Sequence, residues 1–198
     1  MTARLRAGLA AATFAAAAML ACGDPNAPVA SFDNYADTLE LYALNGAPRA
    51  APTAIRLIAG AVTGTAAVTT DGGFGFDVAV DIDAQGRPVL YPVRAVAAPF
   101  IGVHRVGIRR TTNAFDSVAR APVGNYAYDS LAVLTVGEVV LIETADPEAC
   151  RSLFGGGVIY AKMVVDSVRA ASRRIFARVT ADPNCGFRSL VVPGRPAD

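Results

Sequence analysis

Chemistry has few places to start in this chain. His104 is the only histidine, so any Ser-His-Asp or Cys-His arrangement must run through it. It lies in Gly102-Val103-His104-Arg105-Val106-Gly107-Ile108, where strand alternation puts its ring on the face of Val106 and Ile108. That placement points to a structural histidine satisfied by hydrogen bonds. No serine occupies a Gly-x-Ser-x-Gly elbow; Ser117 and Ser130 only neighbour aspartates in sequence. Glu40, Glu138, Glu143 and Glu148 are candidates for a hydrolytic carboxylate pair, but the sequence does not bring any two to the spacing of about 5–10 Å that such chemistry needs. One histidine with Cys150 and Cys185 is too small a ligand set for zinc. Asp81-Ile82-Asp83-Ala84-Gln85-Gly86 is faintly like a calcium loop, yet Arg87, Pro88 and Val89 follow it, and a hairpin turn accounts for the aspartates and Gly86. Gly155-Gly156-Gly157 precedes a strand and not a helix, so it is a bend and not a phosphate cradle. No metal or cofactor is expected.

Binding chemistry has one better candidate. Gly124-Asn125-Tyr126-Ala127-Tyr128-Asp129 is a glycine-led polar loop carrying two tyrosines, a composition suited to an adaptable contact surface through Asn125, Tyr126, Tyr128 and Asp129. The competing reading is that the tyrosines cover a sheet edge. Arg105, Arg109 and Arg110, with Tyr91 not far away in sequence, read as a solvated strand face. Formal net charge is +1, which implies neither a nucleic acid nor an acidic partner. Seventeen of the 18 basic residues are arginine and only Lys162 is lysine; with abundant alanine and scattered arginines, this reads as coding bias and not as phosphate recognition.

The N-terminus supplies an address. Arg4 and Arg6 precede an apolar run from Ala7 to Leu20, too short for a spanning helix of roughly 20 residues. The run ends in Ala18-Met19-Leu20-Ala21-Cys22. This string resembles the lipobox of bacterial lipoproteins, with Met19 where leucine is most common. The resemblance implies cleavage before Cys22, a thioether-linked diacylglycerol and an acylated amine there, and a lasting membrane anchor, since two or more acyl chains hold stably. By the same resemblance, Gly23 in place of the aspartate that marks retention slightly favours the outer over the inner membrane of a cell envelope, and Asp24 leaves both open. Residues 1–21 are then a signal peptide, 22–36 a lipidated flexible tether, 37–193 the domain and 194–198 a tail. A tether from 22 to about 34 spans on the order of 40 Å when extended.

With Cys22 lipidated, Cys150 and Cys185 remain for each other in an oxidising compartment. Each follows an Asp-Pro turn, Asp146-Pro147 and Asp182-Pro183, and their separation rules out a reactive Cys-x-x-Cys motif. A disulfide is expected, and closing a loop of about 35 residues contributes roughly 3–4 kcal/mol in the chain-entropy model. The C-terminal block, Ile159-Tyr160-Ala161-Lys162 through Asp182-Pro183-Asn184-Cys185-Gly186-Phe187-Arg188, is similar to predicted lipoproteins of high-GC environmental bacteria. That resemblance supports the lipobox and the disulfide and carries no functional residue.

The elements that must position these residues read as β. Strands are expected at Thr38–Leu44 before the Asn45-Gly46 turn, and at Thr53–Ile58, Phe74–Ile82, Pro88–Val96 and Gly102–Ile108. Others follow at Leu131–Val136, Glu138–Thr144, Val158–Val168, Arg173–Ala181 and Phe187–Val192. In Phe74–Ile82 the alternation places Asp77, Ala79 and Asp81 opposite the apolar face; in the C-terminal hairpin it places Lys162, Asp166, Arg174 and Arg178 outward, as on a solvated sheet. Thr112–Arg120 is the one helical candidate, with Asn113 as N-cap. The fold class is all-β: a single antiparallel β-sandwich of about nine or ten short strands after a cleaved signal helix. The matching function is a non-enzymatic, membrane-anchored envelope domain binding an envelope protein or small ligand through its loops. The alternatives are an assembly component pairing through a sheet edge and a carboxylate-based hydrolase.

Overall fold

Two alternating segments that can bury one face each, Val158–Arg169 and Arg174–Asp182, form the longest hairpin of the protein and set its architecture. The computed structural model describes residues 29–58, 64–97, 104–145, 150 and 157–194. Cys22, the signal segment, Glu148 and the first two glycines of the Gly155-Gly156-Gly157 run lie outside the described residues. In chain order the strands are β1 (Tyr35–Tyr42), β2 (Ala54–Arg56), β3 (Ala66–Val68), β4 (Val78–Ile82) and β5 (Pro88–Pro92). After a single helical turn, α1 (Val93–Ala97), come β6 (Arg105–Thr111), β7 (Ala127–Tyr128), β8 (Ala132–Val133), β9 (Val139–Ala145), β10 (Val158–Arg169) and β11 (Arg174–Asp182). They pair antiparallel into a six-stranded sheet, β1-β11-β10-β9-β6-β7, and a five-stranded sheet, β3-β2-β4-β5-β8. The all-β sandwich is therefore correct; the described residues hold eleven strands, the surplus being pieces of two or three residues.

The main core lies against the inner face of the six-stranded sheet. Leu41, Val106, Ile142, Met163, Ile175 and Val179 from that sheet pack with Ile55, Phe76, Val78, Val80 and Leu90. In β10 the inward set is Ala161, Met163 and Val165, as alternation requires. A bulge between Val165 and Ser167 then sets Asp166 outside the ladder, where Arg178 grips its carboxylate at 3.0–3.2 Å. The cysteines Cys150 and Cys185 are joined in a disulfide with Cα atoms 5.7 Å apart.

Several sequence expectations are corrected. Thr112–Arg120 is not an α-helix; only Phe115–Ser117 forms a 3-10 turn, and its N-cap is Ala114, without a side-chain hydrogen bond. The strand expected over Pro88–Val96 stops at Pro92, which has no N–H to extend the ladder, and α1 follows. The strand expected over Phe74–Ile82 begins only at Val78, because Phe74 is left-handed (φ 47°). Phe187–Val192 is not a strand; Ser189 forms one isolated bridge with Arg120. The tether is docked from Ser31 onward: Asn184 Oδ1 accepts the Ser31 and Phe32 amides, and Asn34 Nδ2 donates to the carbonyls of Ser189 and Val191. Asp77 and Asp81 are buried and not solvent-facing, because β4 is covered on both faces.

Each of those aspartates is satisfied by groups from several elements. Asp77, 6% exposed, accepts the Leu57 amide at 2.7 Å, the Thr144 hydroxyl at 2.9 Å and the His104 Nε2 at 2.8 Å. Its backbone joins Ile55 and Val93 as well. Asp81 binds the amide and side chain of Asn45 in the first turn and, at 2.8 Å, Arg173 Nη2. Arg173 itself is left-handed (φ 53°) in the β10–β11 turn and also reaches the carbonyls of Asn45 and Ile82. Both contacts link the sheets, and the Asp77 set is the more buried.

Removing a buried carboxylate strands its donors, so Asp77→Ala is expected to cost about 3–5 kcal/mol. Glu40→Ala, which removes an exposed pair with Arg174, is expected to cost under about 1 kcal/mol. Urea unfolding of the two variants checks the difference; equal midpoints would dismiss Asp77 as a link between the sheets.

Candidate functional site

The outer face of the six-stranded sheet is covered over β9 and the first half of β10, whereas Glu40, Asp166, Arg174 and Arg178 on the same face meet solvent. Side chains that alternation sends outward, Val139 and Leu141 on β9 and Tyr160 and Val164 on β10, form a second apolar cluster with Val118, Ala121, Tyr126 and Leu190. Two irregular segments make the cover. Residues 115–121 and 188–192 cross the face side by side, joined by the Ala121 amide to the Arg188 carbonyl and the Leu190 amide to the Ala119 carbonyl, both 2.8 Å. Val118, Ala121 and Leu190 face down while Val191 stays half exposed, so the strand-like composition at Phe187–Val192 yields a lid and not a strand.

Lys162 lies under this lid. Alternation correctly puts it outward on β10, but it is only 4% exposed. Its Nζ donates to the Val118 carbonyl at 2.9 Å and stands 4.8 Å from the centre of the Phe115 ring. The Arg178 guanidinium lies at 4.8 Å from the same ring centre. Beside them is a cavity of about 360 Å³. Its strand-borne wall includes Ala36, Thr38, Lys162, Arg178 and Thr180, and its lid-borne wall includes Phe115, Val118, Leu190 and Val192. Lys162 and Thr180 are direct cross-strand partners. Thr180 is 1% exposed, and its Oγ1 makes no hydrogen bond with any described residue.

Electrostatics follow from the burial. Desolvation lowers the Lys162 pKa from its ordinary value, opposed by the nearby negative charge of Asp116. Elsewhere under the lid, burial raises the pKa of Glu143, opposed by a hydrogen bond from Tyr160. Burial first, and then the charge of Glu143, push the Tyr126 phenol up.

The loop expected to bind splits apart. Asn125 is exposed, but Tyr126 is 8% exposed, with its hydroxyl on the Pro122 carbonyl at 3.2 Å and its ring 6.2 Å from that of Tyr160. Gly107 makes this approach workable: a Cβ there would lie 2.7 Å from the Tyr126 Cβ. Tyr128 sits in edge strand β7 under the Arg105 guanidinium, 4.5 Å from its ring centre, and Asp129 pairs with Arg105 at 3.2 Å. Tyr126 is therefore buried against Tyr160, while Asn125 is exposed and Tyr128 and Asp129 are partly exposed. His104 is placed inward, on Asp77. Glu138 and Glu143 are separated along β9 by about 17 Å of strand, beyond the reach of a hydrolytic pair, and Glu40 is occupied by Arg174. The sequence reasoning missed Lys162 as a site residue. Its signal was the near-continuous apolar run Ile159-Tyr160-Ala161-Lys162-Met163-Val164-Val165, which marks a strand covered on both sides.

No protein-family model, curated protein or solved structure matches this chain.

The lowered Lys162 pKa has a sign that can be tested. A group whose folded pKa lies below its unfolded value of about 10.5 favours the fold fully only above that pH, and this contribution is lost as pH falls through the folded pKa. The stability of Lys162→Met relative to the parent should therefore be greatest near neutral pH and shrink as pH rises toward 10.5. Urea midpoints of both proteins across that range read the trend; a difference independent of pH contradicts it.

Proposed function

We propose that this chain is a membrane-anchored envelope lipoprotein whose β-sandwich is a binding domain, not an enzyme, and that its ligand is a small organic carboxylate held in the cavity under the lid. The observation that carries this reading is the buried Thr180 hydroxyl, unpartnered among the described residues, in a cavity that also contains Lys162 and Arg178. A buried hydroxyl without a partner is costly, and a ligand oxygen would relieve it. Lys162 and Arg178 offer an anion two cationic donors in a lining that also holds the carboxylates of Asp37 and Asp116, while Phe115, Val118, Leu190 and Val192 suit an apolar body. The cavity of about 360 Å³ falls at the small end of ligand sites. The anchoring rests on the Ala18-Met19-Leu20-Ala21-Cys22 string.

Two measurements test the two halves. Fatty-acid labelling in a bacterial host is expected to mark the parent and not Cys22→Ser, which leaves the membrane fraction; undiminished label in the variant refutes the anchor. In calorimetric titration with pyruvate, succinate and benzoate, at least one is expected to bind saturably, and Arg178→Gln to weaken it about tenfold, the scale of one charged hydrogen bond. Absence of saturable binding, or identical affinity in the variant, refutes the site.

A further inference from the structure

The only lysine in the chain is also its most enclosed cation among the described residues, at 4% exposed beside a cavity. Among the described residues its one hydrogen bond is to the Val118 carbonyl, a neutral acceptor, and the carboxylates of Asp37 and Asp116 line the same cavity without a hydrogen bond to Nζ. A salt bridge would hold Nζ as an ammonium; a carbonyl acceptor does not require it. A neutral amine donates one N–H to Val118 and still has a second N–H and its lone pair. The wall of the cavity carries the further groups that a carbonyl ligand needs. Thr180 stands directly across the β10–β11 pair from Lys162, with its hydroxyl unpartnered among the described residues. Arg178 is held rigid by Asp166 through Nε and Nη2, while Nη1 is oriented toward Asp116, 4.0 Å away. The Phe115 ring lies 4.8 Å from both cations and forms an apolar wall beside the amine.

We propose that Lys162 captures a small oxo acid, a molecule with both a carbonyl and a carboxylate, as a reversible imine in this cavity. The proposal rests on the small-carboxylate reading above and names the class within it. Arg178 takes the carboxylate, and Thr180 hydrogen-bonds the carbonyl oxygen. The neutral Nζ attacks the carbonyl carbon, forming the C–N bond, and one N–H proton passes to the carbonyl oxygen to give a carbinolamine. The C–O bond then breaks, the hydroxyl leaves with the second nitrogen proton as water, and the C=N bond remains. Hydrolysis reverses each step, and neither oxidant nor reductant takes part. Desolvation, which enlarges the neutral fraction of the amine, works in the same direction.

Reductive trapping tests this on the full-length protein in detergent. Glyoxylate is added with sodium cyanoborohydride, which reduces the imine to a stable secondary amine, and the adduct is located by peptide mapping. The expected result is one adduct, on Lys162, formed at least about tenfold faster than on free Nα-acetyllysine, because the bound carbonyl is held beside the amine. Acetaldehyde, which lacks the carboxylate, should react more slowly at this site, and Arg178→Gln should erase the preference for glyoxylate. Lys162→Arg should give no adduct while keeping the parent circular dichroism spectrum. Trapping at Lys162 no faster than on the free amine, or an adduct only at the N-terminus, overturns the proposal. If calorimetry meanwhile shows saturable carboxylate binding, the binding site stands and only the imine falls. If neither is seen, both fall together.

Discussion

A single desolvated carboxylate fixes how the two sheets face each other. Asp77 collects an amide from Leu57, a hydroxyl from Thr144 and the ring of His104, groups from three separate parts of the chain. Because it is buried, the carboxylate tolerates no loss of a partner, and the partners must arrive together. The consequence runs outward through register. Thr144 turned inward puts Glu143 and Leu141 on the outer face of β9, since neighbouring residues on a strand alternate. The ladder pairs Leu141 with Lys162 and Glu143 with Tyr160, so the only lysine points away from the main core by the same constraint. A slip of one residue would exchange the two faces and bury Thr144 under the lid in place of Lys162's neighbours.

The second layer of organisation is the lid. Many sandwiches leave the outer face of a sheet to water; here residues 115–121 and 188–192 lie across it and create a small second core. The lid is narrow and irregular, and it packs fully only where large side chains rise to meet it, as Tyr126 does against Tyr160 through the gap left by Gly107. Toward β11 and β1 the sheet presents Thr180, Ala36 and Thr38 instead, short residues that do not fill the space, and the cavity opens there. An incomplete lid over a polar strand surface is thus both a packing defect and a binding opportunity.

How much of this was legible in the sequence depends on the interaction range involved. Local signals were read well: the Asn45-Gly46 turn, the hairpin around Ala170-Ala171-Ser172, and the alternation of β1, β10 and β11 all reflect periodicity within a few residues. The cysteine pair was reachable by elimination. What failed was everything set by partners distant in the chain. Asp77 and Asp81 sit at positions that look outward until Thr144 and Arg173, 67 and 92 residues away, are known to meet them. Period two tells which face Lys162 takes and cannot tell whether that face is wet. Tyr126 and Tyr128 have the composition of a contact loop, and only the bare Cα of Gly107 reveals that one of them folds under.

The docking of Ser31 and Phe32 on Asn184 has a mechanical side. A pull on the chain ahead of Val29 meets these hydrogen bonds first, and Asn184 is the residue immediately before Cys185, which is stapled to Cys150. Any load that passes them enters β1, which is paired along all eight of its residues with β11. Traction along that strand shears the pairs as a group and does not peel them one at a time. A domain held by its N-terminus at a surface subject to flow or turgor would therefore take up strain at its best-fastened point, and because Asn34 is bonded to the Ser189 and Val191 carbonyls and Ala36 and Thr38 line the cavity, the lid and the cavity would feel that strain first.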